Sequence, residues 1–458
     1  MTISTNLTGG IDVGNGYVKG IIRGPLGSGG SDGDEIDLPS GVALITRSNA
    51  LPTPDREAPA RMEGDFYNEL DVSFESTLIG DTYRRLFGLR ALSAQGAFEE
   101  FDVIGHRSKA QQELSKILVM GVFAAKAVRD HVRANGSLPP GEEVLSVRAR
   151  VALALPIDEY LSHRTSYAAE FMNGVHTVTV HNFETPVTVK LRFMDVQVIP
   201  EGASAQYAIT AKGEPLMEAM LADVRRRGLP LDGITPGDVL AAQHTIGIDI
   251  GEGTVNFPVF TAGQFNADAS TTFKKGYGSV LTDAMKAMRD RGFQTGFTSR
   301  KQLSEYLHAG PSRLKLNFYD RVKAFVDEET MFFAKEVAEQ FGRVLAVVGA
   351  TTEVAYVYGG GAGAGAVKEY LYSALLAKAA EMNSEDSFPT LYLDSSYSRH
   401  LNREGLYIAA EAVEQKAVTV PTSKRSSKRA AVDETVAGEA APDEATVHGA
   451  AGLADAVV

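Results

Sequence analysis

The sequence predicts an α/β protein of two similar domains, each with a mixed sheet and flanking helices, that face each other across a cleft. The main observation is a repeat, because an aspartate followed by two glycines, D-x-G-x-G, occurs within residues 9–20 and again within residues 245–260. Each copy lies between apolar segments of the kind that form strands. A chain of 458 residues is also long enough for roughly two to four domains.

The first copy is predicted to be a strand, a tight glycine turn and a returning strand. Because glycine has no Cβ, the backbone N–H groups of such a turn can approach an anion closely. Asp12 and Lys19 lie on either side of the turn and carry the charges that bind a metal ion and a phosphate. We therefore expect the turn at Gly14, Asn15 and Gly16 to bind a phosphate group.

The second copy places Asp249, Gly251 and Gly253 at the same spacing and continues with Thr254. A lone aspartate in such a turn more often caps the turn than binds a metal. The matched repeat favours the metal hypothesis, since two facing turns can share one metal–phosphate complex. The sequence therefore predicts phosphate binding by both turns and metal binding by Asp12 and Asp249.

The remaining patterns alternate between strands and helices. Strands are predicted at 36–46, 144–155, 175–181, 187–198 and 354–358, and helices at 108–134, 158–172, 203–228, 277–291, 320–348, about 366–380 and 401–415. Loops are predicted at 24–34 and 52–65, which are rich in glycine, proline and polar residues. One side of the 320–348 helix is expected in the core; its residues are Val322, Phe325, Val326, Phe332, Val337, Phe341, Val344 and Val348.

These elements divide the chain into a first domain at 1–200, a second at 201–400, a closing helix at 401–416 that returns to the first domain, and a tail at 417–458. The tail has almost no large apolar side chains and is predicted to be disordered, because it cannot offset the entropy cost of ordering. Within it, the basic run S-K-R-S-S-K-R at 423–429 is predicted to be a solvent-exposed linker, and the alternative is that it contacts DNA or an adaptor.

Composition excludes several classes of protein. The chain has no cysteine, which rules out disulfides, thiolate metal sites and cysteine nucleophiles. No apolar run approaches membrane-spanning length, and the first ten residues lack a signal-peptide core, so a cytoplasmic protein without a membrane partner is expected. A net charge of −13 argues against non-specific DNA binding by the whole surface.

A third glycine-rich turn, Gly359, Gly360 and Gly361, follows a predicted strand and precedes a helix. Backbone in that position can contact a nucleotide base or phosphate. The chain has no G-x-x-x-x-G-K-[ST] motif, and the run comes too late in the sequence for a Rossmann turn. The three turns together predict a nucleoside triphosphate with a divalent metal, and we expect ATP and Mg²⁺.

In this hypothesis Asp12 and Asp249 hold Mg²⁺, largely through water, because Mg²⁺ keeps much of its hydration shell. Lys19 neutralises charge on the β- and γ-phosphates. Glu159 follows the predicted strand 144–155 and could orient an attacking water, although an acid in the first turn of a helix also has a purely structural explanation.

Four further motifs carry a resemblance to a known family. They are L-P-I-D-E-Y at 155–160, V-I-P-E-G at 198–202, V-Y-G-G-G-A at 357–362 and N-R-E-G-L-Y-I-A at 402–409. With the two phosphate turns, they resemble the superfamily of actin, heat-shock chaperones and sugar kinases, and within it the ParM/StbA plasmid-segregation actins. The resemblance runs from about residue 9 to 412, and the tail has no counterpart.

The resemblance implies an actin-like ATPase fold that closes on Mg–ATP. It also implies a homopolymeric filament whose turnover is coupled to ATP hydrolysis, and which segregates plasmid-type DNA through a DNA-binding adaptor of the ParR type. DNA would then be bound only indirectly. Within this resemblance Glu159 positions the hydrolytic water, and Asp249 is assigned to catalysis with it.

The sequence departs from that family at Glu252, where glycine is frequent, at Asn256, where aspartate is frequent, and at Asn15, where a hydroxyl residue is usual. Other functions of the same fold remain alternatives: a small-molecule kinase acting on a sugar or acid, a chaperone ATPase, or a cytoskeletal actin with another cargo. The sequence shows no signature of a sugar or acid pocket, and the tail is too short and apolar-poor for a substrate-binding β-domain. An N-terminal amphipathic helix, expected of a membrane-bound actin, is also missing.

Overall fold

The computed structural model describes residues 2–25, 33–45, 65–94, 98–102, 107–227, 233–382, 388–393 and 395–419, and these form two mixed β-sheets with flanking helices. The strands of the first sheet are β1 (Thr2–Val13), β2 (Tyr17–Arg23), β3 (Asp34–Pro39), β4 (Gly41–Leu44), β5 (Asp71–Glu75), β6 (Arg85–Phe87), β7 (Phe98–Glu100), β8 (Val144–Leu155), β9 (His176–Val180) and β10 (Val187–Pro200). The helices among them are α1 (Gly88–Ser93), α2 (Glu113–Asn135) and α3 (Ile157–Met172), with 3-10 turns at Phe66–Glu69 and Lys109–Gln111.

The second sheet is built from later elements. Its strands are β11 (Thr245–Ile250), β12 (Val255–Phe257), β13 (Val259–Thr261), β14 (Gln264–Phe265), β15 (Thr271–Phe273), β16 (Val354–Tyr358) and β17 (Thr390–Tyr392). The helices of this half are α4 (Ala203–Arg226), α5 (Pro236–Ala241), α6 (Tyr277–Asp290), α7 (Arg300–Ala309), α8 (Leu316–Val348), α9 (Val367–Met382), α10 (Ser395–Ser398) and α11 (Leu401–Thr419), with a 3-10 turn at Gly349–Thr351.

The two sheets repeat one strand order. The first contains β3-β2-β1-β8-β10 and the second contains β15-β12-β11-β16-β17. In each, the central strand pairs antiparallel with its hairpin partner and parallel with a strand that comes much later in the chain. The predicted fold class, two α/β units with mixed sheets, is confirmed, and the repeat seen as D-x-G-x-G extends over five strands of each sheet.

The strand opposite β11 is interrupted at Pro258, which separates β12 from β13. Proline has no N–H to donate to a sheet ladder and is therefore tolerated at such a break. Its carbonyl still accepts a hydrogen bond from the Gly247 N–H at 2.8 Å, which keeps the two short strands aligned with β11.

The helix predicted at 108–134 is wrong at its start. A separate 3-10 turn, Lys109–Gln111, comes first, and Gln112 is extended before α2 begins. Ser108 and Gln111 form a capping box that closes this turn locally. α2 then packs on the first core, where its Phe123 contacts Phe193 of β10 edge to face, and it ends at Gly136, which has a φ of 68°.

The core stripe predicted for α8 is wrong at one position. Phe332 is 51% exposed, whereas the adjacent Phe333 is buried. At 3.6 residues per turn, a buried face that contains Val326 and Val337 passes through position 333 and leaves 332 outside. The other valines of the stripe and Phe341 are buried or packed against the core as predicted.

Two other predicted elements differ locally. The segment predicted as one helix at 203–228 contains a break at Gly213, whose φ of 62° and ψ of −153° are not helical, two residues before Pro215. The strand predicted at 36–46 is two strands, β3 and β4, separated at Ser40. Ser40 leaves the ladder because its N–H donates to the Gly16 carbonyl at 2.9 Å and its hydroxyl donates to the Gly14 carbonyl at 2.5 Å.

α11 crosses β1 and α4 at two glycines. A Cβ on Gly10 would lie 2.2 Å from the Tyr407 backbone nitrogen, and a Cβ on Gly405 would lie 1.8 Å from the Ser204 carbonyl oxygen. Only glycine permits such backbone approaches. α11 ends at Thr419, three residues beyond the predicted limit of the closing helix.

Several sequence predictions lie outside the described residues. They are most of the loops at 24–34 and 52–65 and the tail from residue 420 onward. The domain limits stay a prediction. Every helix among the described residues is too short or too polar to cross a membrane.

Candidate nucleotide-binding cleft

The two predicted phosphate turns have the same backbone geometry. The Gly14 N–H donates to the Tyr17 carbonyl at 3.1 Å, and the Gly251 N–H donates to the Thr254 carbonyl at 2.9 Å. In both hairpins the aspartate lies two residues before the first glycine, at the end of the central strand. The two turns are therefore equivalent in structure as well as in sequence.

The two turns lie directly against each other. A Cβ on Gly16 would lie 1.4 Å from Glu252 Oε2, and a Cβ on Gly253 would lie 2.0 Å from Asn15 Nδ2. The second glycine of each turn thus makes room for the side chain of the opposite turn. Glu252 and Asn15, which depart from the family pattern, are the side chains that fill this contact.

The third glycine turn covers the end of β11. Gly359 has a φ of 98°, and a Cβ there would lie 2.5 Å from Asp249 Oδ1. The Gly361 N–H donates to the Ile250 carbonyl at 2.7 Å. A Cβ on Gly360 would lie 3.3 Å from Lys19 Nζ, so this turn also approaches the first hairpin.

All three turns line one cavity of about 830 Å³, a volume within the usual range for small-molecule sites. Every residue predicted to bind nucleotide or metal lies on its wall: Asp12, Gly14, Asn15, Gly16, Lys19, Asp249, Gly251, Gly253, Thr254, Gly359, Gly360 and Gly361. The structure therefore brings together eleven residues of the phosphate and nucleotide turns, with Asp249, from opposite ends of the sequence.

Glu159 is the one predicted site residue that the structure does not place on the cavity wall. It lies in the first turn of α3, and its carboxylate accepts the Lys109 N–H at 3.0 Å and the Ala110 N–H at 3.2 Å. Glu159 therefore fixes the start of the 3-10 turn whose first residue, Lys109, does line the cavity.

Lys109 and Glu201, both from the first half of the fold, form a buried ion pair, and Asn256 of β12 joins this pair to the second sheet. Glu201 Oε2 also accepts a hydrogen bond from Asn256 Nδ2 at 3.0 Å, and Asn256 Oδ1 accepts one from the Thr272 hydroxyl at 2.8 Å. Burial opposes the charged form of Lys109, but the adjacent Glu201 carboxylate outweighs it and the pKa of Lys109 is raised. Asn256 therefore has a hydrogen-bonding role that an aspartate next to Glu201 could not fill without repulsion.

Sequence reasoning missed Lys109 as a site residue. It was placed inside a predicted helix, and nothing in its immediate neighbours marks it as buried. The available signal was the S-K-A-Q capping box at 108–111, which separates Lys109 from the following helix. The cavity-lining residues of α7, Ser304, Glu305 and His308, were also missed, since they belong to a helix without a recognisable motif.

The two predicted metal ligands are buried carboxylates. Burial raises the pKa of Asp249 to about 7; the hydrogen bond from Asn402 at 2.8 Å opposes this, and the charges of Asp12 and Glu201 add to it. Burial also raises the pKa of Asp12, partly offset by Lys19. Three carboxylates thus lie near two lysines, Lys19 and Lys109, and the cluster has a net excess of negative charge.

This donor set fits magnesium. Among the described residues, no three His, Asp or Glu side chains come together as a complete metal site. Mg²⁺ is commonly held by one or two carboxylates, with water and substrate phosphates as its other ligands. Asp12 and Asp249 are two buried carboxylates at a cavity lined by glycine turns. Burial is the main cause of their raised pKa values and repulsion from neighbouring carboxylates adds to it, so a bound cation would favour their charged forms.

Side chains from the two halves also meet at the mouth of the cavity. The Tyr17 hydroxyl donates to Glu305 Oε1 at 2.6 Å, and the Lys301 ammonium donates to the Gly16 carbonyl and lies 4.1 Å from the centre of the Tyr17 ring. Burial lowers the pKa of Lys301. α7 is therefore bound to the first glycine turn by a hydrogen bond, a cation–π contact and a buried lysine.

Residues 10–203 match the family model described as "Actin like proteins N terminal domain". No curated protein matches the chain. The crystal structure of actin-like protein Alp7A is similar with a TM-score of 0.59 and 17% identity, over 91% of this chain and 99% of that one. A 15-stranded ParM filament from Clostridium botulinum gives a TM-score of 0.52 and 14% identity, over 90% and 99% of the two chains.

Bacillus thuringiensis ParM with ATP gives a TM-score of 0.50 and 17% identity, over 89% of this chain and 99% of that one. At these identities the likeness shows the fold. The resemblance to ParM-type actins indicated by the motifs is confirmed at that level. The described residues have the actin-like fold, and residues 10–203 match the N-terminal domain model of the actin-like proteins.

Proposed function

We propose that this chain binds and hydrolyses ATP with Mg²⁺ and polymerises into dynamic filaments that segregate or position plasmid-type DNA through a DNA-binding adaptor of the ParR type. The observation that carries the proposal is the contact between two equivalent glycine turns, one from each sheet, at a single cavity with buried carboxylates. The actin-like fold, and the ATP and filament forms known for ParM proteins of similar fold, support it.

The proposed phosphate contacts follow from the geometry of the turns. Gly16 and Gly253 have no side chain of their own, and the space beside them is taken by Glu252 and Asn15 of the opposite turn. The backbone N–H groups of such glycine turns suit phosphate oxygens. Lys19 is the register partner of Asp12 across the hairpin, so it lies next to a proposed metal ligand. Its ammonium group would bind the β- and γ-phosphates as a point charge. When bound by Asp12 and Asp249, Mg²⁺ would neutralise charge on those phosphates.

For hydrolysis we propose that Glu159 positions the attacking water. A carboxylate oxygen can accept two hydrogen bonds, so the bonds from Lys109 and Ala110 leave one acceptor position on each oxygen of Glu159. Lys109 lines the cavity beside this carboxylate. Asp249 would contribute to catalysis by holding the metal on the opposite hairpin.

Polymerisation would couple to this site through closure of the cleft. The turns and α7 meet across the cavity, so a triphosphate bound to both turns would favour one relative position of the two halves. Hydrolysis would remove the contacts to the γ-phosphate and weaken the subunit contacts. Because subunits in such a polymer meet head to tail, growth does not close and a filament results.

The test is light scattering by the purified full chain with Mg²⁺ and ATP, GTP, ADP or no nucleotide. We expect scattering to rise with ATP and then to decay as ATP is consumed. Glu159→Ala should polymerise with ATP but fail to decay, with hydrolysis reduced by about 10²-fold or more, as is usual when a water-positioning residue is lost. Asp158→Ala, which removes the exposed neighbouring carboxylate on the same helix, should behave like wild type.

Two results would contradict the proposal. The absence of any scattering change at high protein concentration, despite ATP binding measured by calorimetry, would exclude filament formation. Normal decay in Glu159→Ala would show that this side chain only caps the Lys109 turn.

A further inference from the structure

One face of the first sheet carries four basic side chains at its centre. Arg148 and Arg150 lie on β8, and Lys190 and Arg192 lie on β10; we call these four residues the basic face. Arg192 is directly opposite Arg148, Lys190 is opposite Ser146, and the acidic residue Asp195 is opposite Arg150. Paired positions and alternate residues of a strand point to the same side of a sheet, so the four cations share one surface.

The cations of the basic face have no partners among the described residues. None of the four forms an ion pair or a side-chain hydrogen bond there, and Arg148, Lys190 and Arg192 are exposed. Like charges directly opposite each other destabilise a sheet. Even with Asp195 opposite Arg150, this surface carries a net positive charge, and no ion pair joins these two residues. The chain as a whole has 58 acidic and 45 basic residues, so a local excess of cations without ion-pair partners points to an anionic occupant.

The rest of this sheet face is covered by α11. The buried alanines Ala152 and Ala154 of β8 pack with Leu406 and Ala409 of that helix. Positions 148, 150, 152 and 154 alternate along β8, so α11 covers the half of the face nearest the cleft and leaves the basic face outside. The two surfaces are therefore continuous.

The direction of α11 determines where the chain leaves the described structure. Asn402, near its start, donates to Asp249 at the cleft, whereas Glu414, near its end, binds Arg23 at 2.6 Å. Arg23 is the register partner of Thr8 on β1, two residues from Asn6, which is exposed on the open part of the face. The described chain therefore ends with α11 near the β1–β2 side of this sheet face, and the sequence from residue 420 continues from there.

The sequence after this point has the complementary charge. Residues 430–458 contain six acidic residues and no lysine or arginine; the acids are Asp433, Glu434, Glu439, Asp443, Glu444 and Asp455. The fourteen residues that follow Thr419, up to and including Asp433, can span up to about 45 Å. β1 and β10 are two strand spacings apart, about 10 Å, so the acidic segment can reach every cation of the face.

We propose that the acidic segment 430–458 docks on the basic face of its own chain and covers the open half of the first sheet. The basic run at 423–429 would be repelled by the same face, which places the contact on the later, acidic part. Individual exposed ion pairs contribute only about 0–1 kcal/mol, so docking depends on several pairs and on the tether, which keeps the segment at high local concentration. It should therefore weaken steeply with salt. The inference is independent of nucleotide binding and filament formation.

The test uses distances between two spin labels in the full chain, since the protein has no native cysteine. One label replaces exposed Ser4 at the border of the basic face, and the other replaces Ala440 in the acidic segment. We expect a narrow, short-distance population at about 20 mM salt that is lost at about 500 mM. A label pair at Ser312 and Ala440 should show no such population.

Charge variants decide whether the contact is the proposed one. Arg148→Glu with Arg192→Glu should remove the short distances, and so should neutralising the acids at 433, 434, 439, 443 and 444 to their amides. Lys286→Glu with Arg289→Glu makes the same change in net charge on exposed α6 positions and should leave the distances unchanged. Thermal unfolding of each variant confirms that the exposed substitutions leave the fold intact.

Three outcomes would overturn the proposal. The first is a distance distribution in Arg148→Glu/Arg192→Glu that equals wild type. The second is a short distance that arises only between molecules, seen in a mixture of singly labelled chains, since the occupant is then a second copy. The third is equal binding of duplex DNA to wild type and to the neutralised-tail variant, with dependence on Arg148 and Arg192, which would make the face an open nucleic-acid site.

Discussion

Asp249 is a buried carboxyl that makes the stability of the folded protein depend on pH. Its pKa rises from 3.8 to about 7 on folding, so between these pH values the folded protein holds a proton that the unfolded chain has lost. Stability is therefore lost as pH rises through that window, and the loss is complete above about pH 7. In the absence of nucleotide and magnesium, this cost is intrinsic to the cleft.

Asp249→Asn removes the cost because an amide does not ionise and still accepts the Asn402 hydrogen bond. At each pH we compare the free energy of unfolding of the variant with that of wild type. We expect this difference to shift in favour of the variant by about 2–3 kcal/mol from about pH 5 to about pH 8.5. The measurement is chemical denaturation at both pH values without nucleotide or metal. Asp268→Asn, which changes an exposed carboxylate, should show no such trend, and a flat difference for Asp249→Asn would contradict the assignment.

Lys109 gives the second prediction at this scale. Replacing it with methionine leaves Glu201 buried with only the Asn256 amide as a partner. Breaking a buried ion pair from one side usually costs about 3–5 kcal/mol, whereas replacing both partners costs much less. Urea denaturation should therefore show a large loss for Lys109→Met and a smaller loss for Lys109→Met/Glu201→Gln. Equal losses would mean that the two charges do not interact.

Residues with local requirements could be predicted from the sequence, and residues defined by distant partners could not. The glycines at 14, 16, 251 and 253 are required by the turns themselves, so the repeat revealed them. Lys109 is buried because Glu159 and Glu201, at positions 159 and 201 of the chain, meet it in three dimensions. Neither partner is near Lys109 in the sequence, so no local pattern could indicate its role.

At the scale of elements, α11 depends on a close approach to α4. Gly405→Ala should be destabilising even though alanine is the better helix former by about 1 kcal/mol. The added Cβ would lie 1.8 Å from the Ser204 carbonyl oxygen, so the two helices must separate, and we expect a net loss of about 2–4 kcal/mol. The measurement is thermal or urea unfolding.

Gly237→Ala is the matched control, since Gly237 is also helical and its added Cβ would meet nothing nearer than 3.7 Å. It should be neutral or slightly stabilising. If Gly405→Ala were equally well tolerated, the crossing would not depend on glycine.

Elements with strong periodicity were predicted well, because their pattern is set by one buried face. β8 and β16 have the predicted limits, 144–155 and 354–358. The helix at 108–134 was wrong at its start because the capping box at Ser108 ends a separate short turn. Phe332 and Phe333 are both aromatic, and only the packing of α8 decides which of the two is buried.

For the whole molecule, the duplicated hairpin was sufficient to predict the architecture. Each copy fixes a central strand, and each central strand pairs with a later parallel strand. The extension of the first sheet to ten strands was not predicted, since β4 to β7 are short and are joined by irregular segments. The open basic face on β8 and β10 also became visible only when the register placed Arg148 opposite Arg192.

The crossing of α4 and α11 has a mechanical consequence. α4 leads out of the first sheet after β10, and α11 returns to it from the second half, so both covalent connections pass through one point at Ser204 and Gly405. A point where two connections touch acts as a fulcrum, and displacement in a rotation grows with distance from it. In a rotation of the two halves, Glu201 and Asn402 would move very little, because each is three residues from the crossing point. Tyr17 and Glu305, at the mouth of the cavity, would move furthest. A small rotation of the two halves would thus break the contacts at the mouth of the cavity first and leave the buried carboxylates in place.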